Sequence, residues 1–151
     1  MRGIFARIFA RILGISEPVA YEYEPLPSSE HFRYLILNPG IGDEPLVCSL
    51  DTTPLAGKLF YEIISDYWAS PEKDRTIRCN KRSLTITSSL HEALRALRYA
   101  ECLRELWVAE MCINQDDIEE RLKQIDLRLR IHQKAHRVLY YTGPGSLDGQ
   151  R

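Results

Sequence analysis

Two groups of side chains with chemical potential follow apolar runs of the sequence. In the first group, Ser65, Asp66 and Trp68 lie at the end of the run 59–68, which we predict to be a strand because it is rich in β-branched and aromatic residues. In open α/β sheets, ligands bind beyond the carboxyl ends of the strands. These residues are therefore candidates for a ligand or interaction site. The structural alternative is that Trp68 belongs to the core and Asp66 caps a turn.

The second group, Asn114, Gln115 and Asp116, follows the apolar run 106–113. We predict this run to be the central strand, buried on both faces, as continuous apolar strands of parallel sheets are. The second group would then lie at the same kind of strand end as the first. A structural alternative exists here too, because Asn114 or Asp116 could cap the following helix.

The sequence offers little for metal or nucleophilic chemistry. His132 and His136 have the i, i+4 spacing that can bind zinc on a helix, but no third ligand accompanies them, and we predict no metal site. There is no Gly-rich phosphate loop and no G-x-S-x-G motif, so a catalytic residue cannot be assigned. The four cysteines form neither a C-x-x-C pair nor a zinc pattern with histidine. We therefore expect free thiols and a cytoplasmic, reducing location.

Composition indicates a globular protein of one domain. The 151 residues include 20 Lys and Arg and 21 Asp and Glu, and 44% of them are hydrophobic, which argues against a disordered or fibrous chain. No apolar run approaches the roughly 18–20 residues that a transmembrane helix needs. The formal net charge of −1 argues against a nucleic-acid partner.

Several strands are predicted around these two groups. Strands are expected at 32–37, 45–50 and 137–142, with a turn at 51–54 after the second of them. A β-hairpin is expected where Asn80-Lys-Arg separates two short strand-like runs.

Two helices complete the pattern. The first is expected to begin with a capping box formed by Ser89 and Glu92. The second runs from the polar residues after position 113 to about Ala135, with acids in its first turns and bases in its last. Its apolar residues predict a buried stripe, made of Ile118, Leu122, Ile125 and Leu129. Helix, strand, helix, strand in this order is typical of a parallel sheet with crossover helices.

Residues 1–16 form a basic head with helical periodicity. They contain Arg2, Arg7 and Arg11 and no acid. At about 100° per residue, Arg7 and Arg11 lie opposite one broad apolar face, made of Ile4, Phe5, Ile8, Phe9, Ile12 and Ile15. We expect an amphipathic helix that docks on its own domain or on a second chain. Membrane-surface contact and organelle targeting are the alternatives.

Four segments together resemble a known family. They are Tyr23-Glu-Pro-Leu26, Tyr61-Glu-Ile-Ile-Ser-Asp-Tyr-Trp-Ala69, the stretch 77–98, and Leu106-Trp-Val-Ala-Glu-Met-Cys-Ile-Asn-Gln115. This pattern resembles the fungal heterokaryon incompatibility domain, which is similar in fold to Toll/interleukin-1 receptor (TIR) domains. The resemblance spans residues 21–143. It implies an α/β fold that is TIR- or flavodoxin-like: a mainly parallel sheet flanked by helices, with an added β-hairpin.

The chain also departs from the family pattern. The signature glycine is Ala69 and its middle tyrosine is Asp66, while the family's strand aspartate is Ala109, with Glu110 beside it. If 106–113 is a strand, adjacent residues face opposite sides, so Glu110 could not take the place of that aspartate. Up to Arg151 there is no counterpart of the family's Trp-x-x-Gln-Glu segment. We therefore expect a degenerate, short domain.

The resemblance implies three alternative functions. The favoured one is a non-enzymatic interaction module in non-self recognition and regulated cell death, with protein partners such as a second copy or a full-length relative, and without a cofactor. The second is a TIR-like NAD glycohydrolase, which would use a glutamate in a nucleotide pocket and adds Glu110 to the candidate site, with NAD as its ligand. The third is a membrane-directed cell-death effector that acts through the head.

Changes in composition divide the chain into four parts. The head covers residues 1–16, a Pro- and Ser-containing connector covers 17–31, the α/β domain covers 32–143, and a flexible tail is expected at 144–151.

Overall fold

The computed structural model describes residues 18–65 and 71–143, and its centre is a sheet. The described strands are β1 (His31–Leu37), β2 (Val47–Pro54), β3 (Glu62–Ile64), β4 (Arg75–Cys79), β5 (Arg82–Ile86), β6 (Arg104–Trp107) and β7 (Arg137–Leu139). The described helices are α1 (Ser88–Leu97), α2 (Ala109–Cys112) and α3 (Ile118–Lys134), with a 3₁₀ turn at Leu55–Gly57. The predicted α/β class is confirmed at this level.

The strand order is β5-β4-β2-β1-β6-β3-β7, and the sheet is mixed rather than mainly parallel. Strands β6, β3 and β7 run parallel, as do β2 and β4, but β1 is antiparallel to both of its neighbours and β5 is antiparallel to β4. The short connection 38–46 explains part of this difference. Parallel neighbours need a crossover of about a dozen or more residues, and this connection is too short to supply one.

The run 106–113 is not one continuous strand. Strand β6 ends at Trp107, and the chain then turns into α2. Trp107 is buried, at 1% exposure, and β6 lies inside the sheet between β1 and β3, although β1 occupies the middle position. A short apolar run fits a buried strand and a buried helix equally well. Because adjacent helical residues are about 100° apart, the prediction that Glu110 faces away from Ala109 across a strand is wrong.

Two other strands have boundaries that differ from the predicted ones. Within the run 59–68, only Glu62–Ile64 is a described strand, and β2 continues through 51–54, where a turn was expected. The hairpin of β4 and β5 is confirmed. Asn80 and Lys81 both have positive φ, 51° and 64°, which is the backbone of the type I′ turn that joins tight hairpins.

Both long helices begin at residues other than those expected. The N-cap of α1 is Thr87, whose Oγ1 accepts a hydrogen bond from the Leu90 amide at 3.2 Å, so Ser89 does not cap the helix. The N-cap of α3 is Asp117. Asn114 and Asp116 lie in the preceding turn, where Asn114 Oδ1 accepts from the Asp116 amide at 3.3 Å.

Helix α3 turns a different side to the core from the one that its periodicity predicts. The predicted buried stripe Ile118, Leu122, Ile125 and Leu129 is exposed. The buried side consists of Glu120, Gln124, Leu127 and Ile131.

A buried charge on β1 accounts for this orientation. Arg33 is only 2% exposed, and its guanidinium donates to both carboxylate oxygens of Glu120, at 2.9 and 2.6 Å. Gln124 donates to the backbone oxygen of His31 at 3.0 Å. Since a buried guanidinium without a partner costs several kcal/mol, the polar side of α3 must face the sheet.

A second buried network crosses three strands. Glu62 on β3 accepts hydrogen bonds from Arg104 on β6, at 2.9 and 3.2 Å, and from Arg137 on β7. Arg104 also donates to the backbone oxygen of Leu97 at 2.7 Å, which ties the end of α1 to the sheet.

The cysteines agree with the prediction from the sequence. All four cysteines are free thiols, and three of them are buried. In the part of the chain that the structure describes, no helix combines the length and apolar character that crossing a membrane requires. The predicted head helix and the tail 144–151 lie outside the described residues.

Candidate functional site

The carboxyl ends of β3 and β6 lie at the same edge of the sheet. Ile63 pairs with Trp107 in parallel register, so Ser65 and Ala109 leave the sheet side by side. The backbone amide of Ser65 donates to Leu139 O at 2.9 Å, which extends the pairing of β3 with β7. Asp66 and Trp68, the other members of the first group, lie outside the described residues.

A cleft of about 360 Å³ opens beside α2. Its wall combines the start of α1, α2 and its following turn, one side of α3, and the segment before β4. The lining residues are Pro71, Lys73, Thr87, Ala109, Glu110, Ile113, Gln115, Arg121, Ile125 and Arg128. Clefts of this size accept a small ligand or a protruding side chain of a partner protein.

Glu110 joins two helix starts at this cleft. Its two carboxylate oxygens accept hydrogen bonds from the backbone amide of Thr87, at 2.9 Å, and from Thr87 Oγ1, at 2.7 Å. That hydroxyl in turn caps α1 through the amide of Leu90. A carboxylate at a helix N-terminus is also favoured by the helix dipole. Glu110 is therefore a positioning residue that holds the first turn of α1 against α2.

The second predicted group divides between lining the cleft and building the turn beneath it. Gln115 lines the cleft, and its side-chain amide donates to Ala109 O at 2.8 Å, which closes the turn around α2. The backbone amide of Asn114 donates to Glu120 Oε2 at 2.6 Å. Asp116 is exposed. Of this group, then, Gln115 lines the cleft, whereas Asn114 shapes the turn.

The described part of the cleft wall carries mainly positive charge. Among the described residues of the wall, Lys73, Arg121 and Arg128 are accompanied by one carboxylate, that of Glu110. Guanidinium and ammonium groups bind carboxylates and phosphates by charge-assisted hydrogen bonds. The described wall is therefore suited to an anionic group, either on a small ligand or on a partner protein.

Sequence reasoning missed several of these residues. Arg121 and Arg128 are seven apart on α3, and this spacing places them on one side of a helix. Thr87 precedes an amphipathic run, so it could have been recognised as an N-cap. Nothing in the pattern around Lys73 points to the cleft, because only tertiary structure brings the segment before β4 to α2.

The connector also contributes to this part of the molecule. The Tyr23 hydroxyl donates to Met111 O in α2 at 2.7 Å, and the Arg33 guanidinium lies 4.9 Å from the Tyr23 ring centroid. The Tyr21 ring meets that of Tyr23 edge-on at 4.9 Å, and burial raises the pKa of Tyr21 to about 12. The connector from residue 18 onward thus supports α2 from the side of β1.

The two spaced histidines have separate packing partners. The His132 ring lies edge-on to Trp107 at 5.7 Å, and its Nδ1 is 2.9 Å from Arg128 O. The His136 ring lies 4.8 Å from that of Phe60. Within the described ranges, no three His, Cys, Asp or Glu side chains come together as a metal site would require.

Comparison with known proteins identifies the family. The family model described as Heterokaryon incompatibility protein (HET) matches residues 61–151, a range that includes all the described lining residues of the cleft. The chain belongs to the heterokaryon incompatibility family. It is 32% identical over 137 residues to the Neurospora crassa protein "Heterokaryon incompatibility protein 6, OR allele", an alignment covering 82% of this chain.

This heterokaryon incompatibility domain spans only a fifth of its relative, since the alignment covers 20% of the Neurospora protein. No solved structure matches the chain. The resemblance to this family, which the segments around Tyr61 and Leu106 predicted, is confirmed.

Proposed function

We propose that this heterokaryon incompatibility domain is an interaction module for the recognition of non-self between fungal cells and for the cell death that follows, without catalysis of its own. Family membership supports the biological role. The relative from Neurospora is named for heterokaryon incompatibility, and the proposed partner is a full-length protein of that kind.

The hydrogen bonding of the Glu110 carboxylate is the observation that supports the absence of catalysis in this proposal. A general acid or nucleophile needs a carboxylate oxygen directed at its substrate. Here both oxygens accept hydrogen bonds from Thr87, and that residue is only 2% exposed. If either oxygen turned toward a substrate, Thr87, the N-cap of α1, would lose one of its hydrogen bonds to Glu110. The carboxylate is therefore committed to the fold.

The positive cleft wall suits the proposed binding role. Lys73 and Arg128 would receive an acidic side chain of the partner, and Gln115 would add a hydrogen-bond acceptor or donor. Because these groups come from a loop, a helix and a turn, binding would depend on the folded domain and not on one linear segment.

Co-expression tests this proposal. The full-length Neurospora relative is expressed in a fungal host with and without this chain, and growth arrest is scored. We expect the chain to change the arrest, Lys73→Glu to abolish that effect, and Lys81→Glu, a matched charge change on the exposed hairpin turn, to preserve it. Growth arrest that is identical with and without the chain would contradict the proposal.

NAD cleavage is the second candidate function, and the pairing of Glu110 with a cationic wall favours it. Phosphates of a dinucleotide fit arginine and lysine side chains, and a glutamate lies in the same cleft. Nicotinamide release from NAD by the purified chain measures it directly, and we expect none. Turnover above about 0.01 s⁻¹, well below usual enzyme rates, that is abolished by Glu110→Gln in a folded variant would replace our proposal with the enzymatic one.

A further inference from the structure

Helix α3 exposes an apolar stripe of four aliphatic side chains. Their exposed fractions are 72% for Ile118, 61% for Leu122, 56% for Ile125 and 67% for Leu129. Contiguous apolar surface of this kind marks interaction sites on proteins. We call these four residues the α3 stripe.

The spacing of the α3 stripe is that of a coiled-coil seam. Its members follow one another by four, three and four residues, which is the a/d repeat of heptads, with Ile118 and Ile125 at d and Leu122 and Leu129 at a. A single helix with this repeat presents one narrow seam to another helix. The opposite side of α3 is committed to the sheet through Glu120 and the other buried residues.

The charges beside the α3 stripe identify the kind of helix that fits. At 100° per residue, Glu119 and Asp126 flank one edge, at e positions, and Arg121 and Arg128 flank the other edge, at g positions. All four are exposed. An anionic membrane surface would meet the acidic edge, and a wholly basic segment would meet the basic edge, so like charges face each other in both cases and neither suits this pattern. A helix with one acidic and one basic edge does suit it.

We propose that α3 pairs in parallel and in register with α3 of a second copy of this chain. A two-fold axis along the seam brings the acidic edge of one copy against the basic edge of the other, with Arg121 opposite Asp126 of the second copy. Arg128 then lies opposite Gln133 of the second copy. An antiparallel pair would instead place acids against acids and arginines against arginines.

The same charges limit the assembly to two chains. Leucine at a with isoleucine at d favours larger assemblies in free coiled coils, but those bury the e and g positions more deeply. Here these positions carry charged side chains, and the sheet covers the far side of α3. The seam involves four side chains per copy, so we expect a weak dimer that depends on concentration.

This dimer goes beyond the proposed function and does not depend on it, although Arg121, Ile125 and Arg128 also line the cleft, so pairing and partner binding would compete for these side chains. Pairing through α3 needs neither the full-length relative nor the cationic Lys73. A chain that remains monomeric could still bind a relative, and a chain that dimerises could fail to change growth arrest. The two sets of experiments therefore give separate answers.

Sedimentation velocity of the full chain, from about 5 to 500 μM, tests the pairing. We expect the average mass to rise toward that of a dimer, and Leu122→Asp to weaken association at least about tenfold. Because Leu122 is exposed, that variant should keep the circular dichroism spectrum and melting of the wild type. Leu103→Asp is the matched control: Leu103 is 57% exposed outside α3, and its change should leave dimerisation intact.

Two further tests, one by charge reversal and one by disulfide formation, address the parallel orientation. Arg121→Asp should weaken the dimer, and adding Asp126→Arg should restore it, because the two reversed charges meet again across a parallel pair. In a Cys102→Ser background, which removes the exposed native thiol, Leu122→Cys should form a disulfide dimer under mild oxidation, since a parallel pair places position 122 against itself.

Three outcomes would overturn the proposal. The first is a chain that stays monomeric across the whole concentration range. The second is a dimer that Leu122→Asp leaves unchanged, which would place the interface elsewhere. The third is a dimer in which neither the charge restoration nor the disulfide occurs, which would exclude parallel pairing. If the wild-type chain is monomeric and binds lipid vesicles, and Leu122→Asp abolishes that binding, the α3 stripe would be assigned to a lipid surface instead.

Discussion

Single buried charges determine how the elements of this domain meet. Arg33 of β1 selects the side of α3 that carries Glu120, and Glu62 of β3 holds the guanidinium groups of Arg104 and Arg137. Each of these contacts joins residues far apart in sequence. Both networks include a carboxylate that is less than a tenth exposed, so removing one partner would leave a buried charge unpaired.

Glu62 gives the clearest dependence of stability on pH. Burial alone would raise the pKa of its carboxyl, but the hydrogen bonds and charges of Arg104 and Arg137 outweigh burial and hold the pKa below its usual value. The ionised carboxylate therefore stabilises the fold above the unfolded pKa of about 4.3. That contribution is lost as the pH falls through the lower, folded pKa.

We expect Glu62→Gln to remove this part of the pH dependence. At pH 7 the variant should be about 3–5 kcal/mol less stable, because Arg104 keeps its burial and loses its carboxylate. Below about pH 4.3 the difference from the wild type should shrink. Urea unfolding between pH 7 and pH 3 measures both effects. Glu105→Gln, which alters a partly exposed carboxylate on the neighbouring strand, is the control, and a wild-type pH slope retained by Glu62→Gln would contradict the prediction.

At the candidate site, two residues singled out from the sequence line the cleft, but their contacts were not predicted. Gln115 and Glu110 were candidates, and both line the cleft. Their hydrogen-bond partners, Ala109 and Thr87, could not be inferred, because the segment after Trp107 was expected to be a strand. Only a helical turn there brings Glu110 to Thr87, which lies 23 residues away in sequence.

Among the elements, the β4–β5 hairpin agrees best with what the sequence predicts. Local turn chemistry determines a two-residue turn, so tertiary context had little to override. Its second central residue is nevertheless Lys81 at φ 64°, a conformation that costs an L-residue other than glycine about 1 kcal/mol or more.

Lys81→Gly should therefore stabilise the domain. It creates the Asn-Gly pair that type I′ turns favour, and we expect a gain of about 0.5–1 kcal/mol. Lys81→Val, with a β-branched side chain at the same position, should shift stability in the opposite direction. Thermal and urea unfolding of both variants measure the sign. Equal stability of the two variants would show that the turn contributes no backbone strain.

At the scale of the whole molecule, the amphipathic head remains a prediction. Its apolar face is large, and side chains of this kind contribute about 1.5–3 kcal/mol each when fully buried. A helix this short is marginal alone, so we expect it to order against the protein. The three arginines, each worth about 1 kcal/mol near anionic lipid, keep a membrane surface as the competing site.

A double substitution in the full chain separates these possibilities. We expect Ile8→Asp with Phe9→Asp to lower the free energy of unfolding in the absence of lipid. Ala10→Asp, on the opposite side of the expected helix, is the control and should have little effect. Unchanged stability together with lost binding to anionic vesicles would favour the membrane alternative.

What the sequence determined by itself was local or carried by the family resemblance. The hairpin turn, the extent of β1 and the existence of α3 follow from residues near one another in the chain, and the segments around Tyr61 and Leu106 identified the heterokaryon incompatibility family. Tertiary structure alone decided the mixed direction of the sheet, the early end of β6 and the outward turn of the α3 stripe. The physical reason is that these features depend on contacts such as Arg33 with Glu120, 87 residues apart, where satisfying one buried charge outweighs the preference of an apolar stripe for the core.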